Sequence, residues 1–215
     1  MPAEFIHRFL RGTTPMTLLA LHGKGGDEND LLPVCRAVAP GASVLSPRGQ
    51  AVEDGLFKFF SRLGPGVFDP DEIKRRADDL ASWIGSTALQ YGLDAKQLYV
   101  LGYSNGANIA VATMLLHPGA IAGGVLLRPR LVIQPETLPE LQGAPVLIAA
   151  GGSDPSIPLA EAEALGRLLS AAGAAVDLAV SETGHDLTPQ DFNMARRWFA
   201  QCIRGAGSGP AERKP

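Results

Sequence analysis

Short apolar runs alternate along the chain with segments whose apolar positions recur every three or four residues. The short runs are MTLLAL (Met16–Leu21), ASVLS (Ala42–Ser46), QLYVLGY (Gln97–Tyr103), IAGGVLL (Ile121–Leu127), PVLIAA (Pro145–Ala150) and AVDLAV (Ala175–Val180). Most are apolar at odd and even positions alike. That pattern suits parallel strands covered by helices on both faces. FIHRFL, near the start, fits an additional edge strand.

Helix signals fall between these runs. In Phe68-Asp69-Pro70-Asp71-Glu72, Asp69 suits the N-cap, Pro70 the first helical position and Glu72 the third. Ile73, Ala77, Leu80, Ala81, Ile84 and Ala88 follow at helical spacing. A second helix from Asn105 to about Leu116 is apolar all round, hence buried, and ends at Pro118-Gly119. A third starts at Pro158, carries Leu159, Ala162, Leu165, Leu168 and Leu169, and stops at Gly173. The last takes Thr188 as cap and Pro189 as first residue, and presents Phe192, Ala195, Phe199 and Ile203 to the core.

Strands alternating with helices predict an α/β fold, a single domain over residues 1–204 with a mostly parallel central sheet. Residues 205–215, GAGSGPAERKP, read as a flexible tail. The stretch 47–68 is long and broken by Gly49, Gly55, Gly64, Pro65 and Gly66. Long connections in α/β enzymes usually line or cover a site.

Composition narrows the class. A chain of 215 residues, 46% hydrophobic and 19% charged, can bury a substantial core. A net charge of −3 gives no general affinity for nucleic acid or anionic membrane. No run approaches the roughly 18 uninterrupted apolar residues of a membrane span. The start, MPAEFIHRFLRG, lacks the apolar stretch of a secretory signal, so a cytoplasmic protein is expected. The two cysteines, Cys35 and Cys202, make neither a disulfide framework nor a metal motif and are expected as reduced, buried thiols.

The chemistry concentrates at Gly102-Tyr103-Ser104-Asn105-Gly106, a G-x-S-x-G sequence after a strand and before a helix. There a serine sits on a strained, sharp turn with its hydroxyl above the sheet, and glycines two residues away on either side avoid collisions. A serine hydroxyl needs a base. Of four histidines, His7 lies in the N-terminal segment before Met16–Leu21, His117 ends a helix and His22 adjoins a glycine loop. His185 follows the last strand, at the same sheet edge as Ser104. Asp154 follows PVLIAA at that edge too, where it could equally cap the helix near Pro158. The order Ser104, Asp154, His185 is that of α/β-hydrolases and favours Asp154 as the partner of His185. Asp186 adjoins His185 and reaches its ring poorly; Asp177 falls inside a strand. An oxyanion needs two backbone donors. Asn105 supplies one and the loop His22-Gly23-Lys24-Gly25-Gly26 the other, with the Lys24 amide as candidate.

Four segments, LHGKGGDENDLLP (21–33), LGYSNGANIA (101–110), GGSDPSIP (151–158) and Gly184-His185, resemble the phospholipase/carboxylesterase group of α/β-hydrolases, which includes the acyl-protein thioesterases. The resemblance implies an α/β-hydrolase fold with minimal lid, a Ser104–Asp154–His185 triad and oxyanion donors at Lys24 and Asn105. It also implies no cofactor and no metal, a structural His22, and often a homodimer. Lys24 and Asn105 replace the residues usual in the eukaryotic thioesterases, which places the chain nearer the bacterial carboxylesterases.

The expected reaction is hydrolysis of a small-molecule ester through an acyl-enzyme. A chain this short leaves little room for a cap, so small or short-chain esters are expected. The alternatives are a thioesterase or lysophospholipase acting on longer chains, and a binding protein on a hydrolase scaffold. Phe57, Phe59, Phe60 and Phe68 on the long loop either wall an apolar acyl pocket or anchor the loop in the core. Arg128 and Arg130, after IAGGVLL, read as a solvated surface pair that could also meet an acidic substrate group.

Overall fold

The computed structural model describes residues 4–64 and 66–207. In chain order the elements are β1 (His7–Leu10), β2 (Thr17–Leu21), α1 (Leu32–Val38), β3 (Ser43–Pro47), β4 (Ala51–Glu53), β5 (Leu56–Lys58) and α2 (Pro70–Tyr91). Then follow β6 (Leu98–Tyr103), α3 (Asn105–Leu116), β7 (Gly123–Leu127), β8 (Pro145–Gly151), α4 (Leu159–Ala171), β9 (Ala175–Ser181) and α5 (Pro189–Gly207). The seven-stranded central sheet has the order β1-β3-β2-β6-β7-β8-β9. Only β1 runs antiparallel to its neighbour, pairing His7 with Pro47 and Leu10 with Val44.

Alternate strand residues feed two cores. Leu19, Val100, Leu126 and Ile148 pack with α2, α3 and α4. Leu18, Leu101, Val125 and Ala149 pack with α1 and α5. The parallel strands therefore end along one sheet edge, where the connections carrying Lys24, Ser104, Arg128, Asp154 and His185 gather.

The six apolar runs and the edge strand all appear within a few residues of their expected limits. Several local features differ. Asp69 caps α2 by accepting from the Asp71 N–H at 3.0 Å, but Glu72 does not reach back to the cap. Its carboxylate faces the Ser61 N–H at 3.5 Å and Arg76 at 3.7 Å instead. The buried stripe of α5 passes through Asp191, Ala195, Trp198 and Phe199 and ends at half-buried Cys202, leaving Ile203 exposed. The helix continues to Gly207, past the expected end of ordered structure at residue 204, and residues 208–215 of the expected tail lie outside the described residues. β9 is an edge strand with Leu178 and Val180 exposed, rather than covered on both faces.

Three elements inside apparent loops, α1, β4 and β5, were not expected. α1 is seven residues long and has no side-chain cap at Leu31, so neither length nor capping chemistry announces it. β4 and β5 form a hairpin around Asp54 and Gly55, both at positive φ (55° and 75°). This is the turn that Asp-Gly pairs favour. Cys35 is fully buried, which pushes its thiol up to about 12; Cys202, only half-buried, is raised to about 11 by partial desolvation and by the Asp177 carboxylate.

Candidate active site

Ser104 is the single residue between β6 and α3 and adopts φ 49°, ψ −113°. A non-glycine residue in such a conformation stores on the order of 1–3 kcal/mol. The turn is held by the Ser104 N–H to the Leu127 carbonyl and by the Asn108 N–H to the Ser104 carbonyl, both 2.9 Å. The flanking glycines are sterically required. A Cβ at Gly106 would sit 2.1 Å from the Leu21 carbonyl oxygen, and one at Gly102 2.8 Å from the Ala107 Cα.

The connection from β9 to α5 brings His185 Nε2 to 3.0 Å from Ser104 Oγ. His185 Nδ1 lies 2.7 Å from Asp154 Oδ2. A carboxylate only accepts, so Nδ1 carries the proton and Nε2 presents its lone pair to the serine hydroxyl. Asp154 Oδ1 accepts from the Ser156 N–H at 2.7 Å and the Ile157 N–H at 3.1 Å. Both uses expected of Asp154, loop cap and histidine partner, are thus filled by one carboxyl group. Its burial pushes the pKa up, but the hydrogen bonds from His185, Ser156 and Ile157 outweigh this and leave it below 3.8. The other histidines are engaged elsewhere. His7 bonds Phe5 and Tyr91, and His117 pairs with Asp78. Asp177 stays exposed on β9, and Asp186 contributes its carbonyl oxygen to Arg128.

His22 is buried beneath the glycine loop. The Gly49 N–H donates to His22 Nε2 at 2.9 Å, so Nδ1 is protonated and donates to the Gly23 carbonyl at 2.7 Å. The ring is therefore neutral. Burial lowers its pKa, against the Gly23 carbonyl and the carboxylates of Asp30, Asp27 and Glu28, which raise it. Its unfolded counterpart titrates near 6.5. Below that pH the unfolded chain takes up the proton first. The contribution of His22 is thus complete above about pH 6.5 and is lost as pH falls toward the lower folded value. Chemical denaturation at pH 7.5 and 5.5 should show a loss of stability that is smaller in His22→Gln; equal losses would exclude His22 as its source.

Lys24 and Asn105 both border the cavity in front of Ser104. Their backbone N–H groups make no hydrogen bond among the described residues, while the Gly25 and Gly26 amides are taken by Phe57 and Gly23. The Asn105 side chain has a separate task that its sequence position did not suggest. Its Oδ1 accepts from the Phe59 N–H at 2.7 Å and its Nδ2 donates to the Phe60 carbonyl at 3.2 Å.

Arg128 overturns the expectation of a solvated pair. Its side chain is fully buried, as is that of Asp191, to which Nη1 and Nη2 donate at 2.9 and 3.0 Å. Nε donates to the Gly184 carbonyl and Nη2 to Thr183 Oγ1, each at 2.9 Å. Asp191 also accepts from the Thr188 N–H and hydroxyl at the start of α5. One guanidinium therefore fastens the residues on either side of His185 to β7 and α5. A guanidinium after a strand reads as surface; only the buried carboxylate 63 residues later, at Asp191, reveals the pairing.

The cavity above Ser104 holds about 280 Å³. Of the four phenylalanines on the long loop, Phe68 lines it. Phe59 and Phe60 are buried core anchors instead, and Phe57 is half-buried under the Arg48 guanidinium at 4.8 Å. The sheet register puts Phe59 and Phe60 just past the β5 end of the hairpin, where Asn105 pins their backbone and turns the rings away from the cavity. Lys58, Arg62 and Arg130 line the cavity in their place.

A mostly parallel sheet with a strained serine between strand and helix, facing a histidine and a carboxylate from later strand ends, defines an α/β-hydrolase. The profile of the phospholipase/carboxylesterase family matches residues 65–203. The putative hydrolase MhqD of Bacillus subtilis (strain 168) is 36% identical over 197 residues, 92% of this chain and 98% of that protein. The crystal structure of the Bacillus cereus carboxylesterase superposes with a TM-score of 0.88 at 38% identity, covering 90% of this chain and 92% of that one. The structure of YahD with malic acid gives 0.84 at 27% identity, covering 90% and 97%. The chain belongs to the phospholipase/carboxylesterase family and is a carboxylic ester hydrolase. Among the described residues no helix is long and apolar enough to cross a membrane.

Proposed function

We propose that the protein hydrolyses small or short-chain carboxylic esters through a covalent acyl-enzyme on Ser104. Ser104 Oγ attacks the ester carbonyl while His185 Nε2 takes its proton, and the imidazolium so formed is stabilised by Asp154. The Lys24 and Asn105 N–H groups stabilise the tetrahedral oxyanion. As that intermediate collapses, His185 returns the proton to the departing alkoxide. A water then adds to the acyl carbon, with His185 again as base, and the acid leaves with Ser104 restored.

The observation that carries this reading is the hydrogen-bonded line from Ser104 Oγ through His185 to Asp154, opening onto a cavity of about 280 Å³. That volume lies at the lower end of ligand pockets, which favours small acyl groups over lipid chains. YahD was solved with malic acid, a molecule of comparable modesty. A series of p-nitrophenyl esters from acetate to palmitate tests the size limit. The specificity constant kcat/KM is expected to fall steadily beyond butyrate. A maximum at long chains would overturn the small-ester reading.

A further inference from the structure

The molecule carries a net negative charge, yet its catalytic cavity is lined by Lys24, Lys58, Arg62 and Arg130 and, among the described residues, by no carboxylate. Two acidic groups stand behind this rim. Glu53 contacts Lys58, lies 4.0 Å from Lys24 and accepts from the Arg62 N–H at 3.1 Å. Glu161 lies 2.7 Å from Arg130 Nε. With Asp154 behind His185 counted as well, four cations face three carboxylates, which leaves the cavity with an excess of one positive charge. The guanidinium of Arg62 has no carboxylate partner among the described residues.

Lys58 is the most telling of the four. It is 1% exposed, and its Nζ is shielded from bulk solvent with no properly formed hydrogen bond beyond the Glu53 contact. An ammonium has three donors, and burying one with donors unsatisfied is costly. A core residue at the end of β5 would have been served by an apolar side chain. An ammonium held under the substrate cavity has a use if a negatively charged group arrives there with the substrate. Arg130 is placed similarly on the opposite connection, after β7, where Nη2 donates to the Ser156 carbonyl and the side chain is mostly buried.

We propose that the preferred substrate is an ester that already carries a carboxylate close to the scissile carbonyl, as in a monoester of a short dicarboxylic acid, and that Lys58 and Arg130 recognise that carboxylate. The proposal rests on the esterase reading above and specifies its substrate class. A hydrogen bond from a charged donor to a carboxylate is strong enough for roughly ten-fold selectivity. The surrounding field adds a component that salt screens.

The test compares monomethyl glutarate with methyl pentanoate, which matches it in chain length and lacks the charge, by following methanol release. The ratio of their kcat/KM values is read in wild type, Lys58→Met and Arg130→Met, so a partial loss of folded protein cancels. The expected ratio is roughly ten or more in wild type at low ionic strength. It should shrink in added salt and approach one in Lys58→Met, with a smaller fall in Arg130→Met. A ratio at or below one, or a ratio that neither substitution moves, overturns the proposal while leaving a serine esterase for neutral esters. Turnover of neither ester also overturns it, and fluorophosphonate labelling of Ser104 then shows separately whether the esterase reading has fallen as well.

Discussion

Ser104→Ala is expected to lower kcat on p-nitrophenyl acetate by several orders of magnitude, up to about 10⁶-fold, and to abolish labelling by a fluorophosphonate. The nucleophile is one atom, and no other hydroxyl stands within hydrogen-bond reach of His185 Nε2 among the described residues. Substantial turnover surviving the substitution would refute the acyl-enzyme. The same position makes a second statement about stability. At φ 49°, ψ −113° alanine is as strained as serine, whereas glycine adopts this conformation freely. Ser104→Gly should therefore be equally inactive yet unfold at a higher denaturant concentration than Ser104→Ala, by up to about 1 kcal/mol after the greater unfolded-state freedom of glycine is subtracted.

The second large effect is expected at Arg128, which touches no substrate in the cycle above. Arg128→Met leaves the Asp191 carboxylate buried without its cation, a change that typically costs about 3–5 kcal/mol. Against a domain stability of roughly 5–15 kcal/mol this brings the fold near its limit. The loop that carries His185 also loses its anchors at Thr183 and Gly184. Where the variant folds, kcat should drop by about 10²-fold, with KM less affected, because the base is misplaced rather than removed. Arg128→Lys keeps the charge without the fork and should fall between the two. The pair Arg128→Met with Asp191→Leu should recover stability but not turnover, which separates the positioning role from the structural one. Denaturation and kinetics of Arg128→Met indistinguishable from wild type would show that the buried pair does neither.

The parts of this fold that were legible in the sequence are those written as local patterns. Six apolar runs and the G-x-S-x-G turn announce a parallel sheet and its sharp strand-to-helix bend, because strand burial and turn sterics act over a few residues. The convergence of Ser104, Asp154 and His185 follows from chain order once all three are assigned to strand ends. Arg128 was illegible because its meaning depends on Asp191, brought near only by the completed sheet. Lys58 carries no local sign of its burial, because its place under the cavity is set by the hairpin. The hairpin has a local sign, Asp54-Gly55, in a stretch that reads from sequence as a long loop broken by glycines. Phe59 and Phe60 looked available to substrate because periodicity does not say which side of an irregular segment faces the core.

The hairpin that borders the cavity is fastened on both flanks. The Gly25 N–H holds the Phe57 carbonyl at 2.9 Å, and the Asn105 side chain holds the backbone of Phe59 and Phe60. The second anchor is the residue directly after Ser104, so the rim and the nucleophile share one rigid mount. Enzymes that greet their substrate at an oil–water boundary carry a hinged cover that the boundary peels back. A rim bolted to the nucleophile's own helix has no hinge of that kind. The expected kinetic signature is a rate that follows the concentration of dissolved ester, with no jump when added ester passes its solubility limit; a jump at that limit would show that the rim opens.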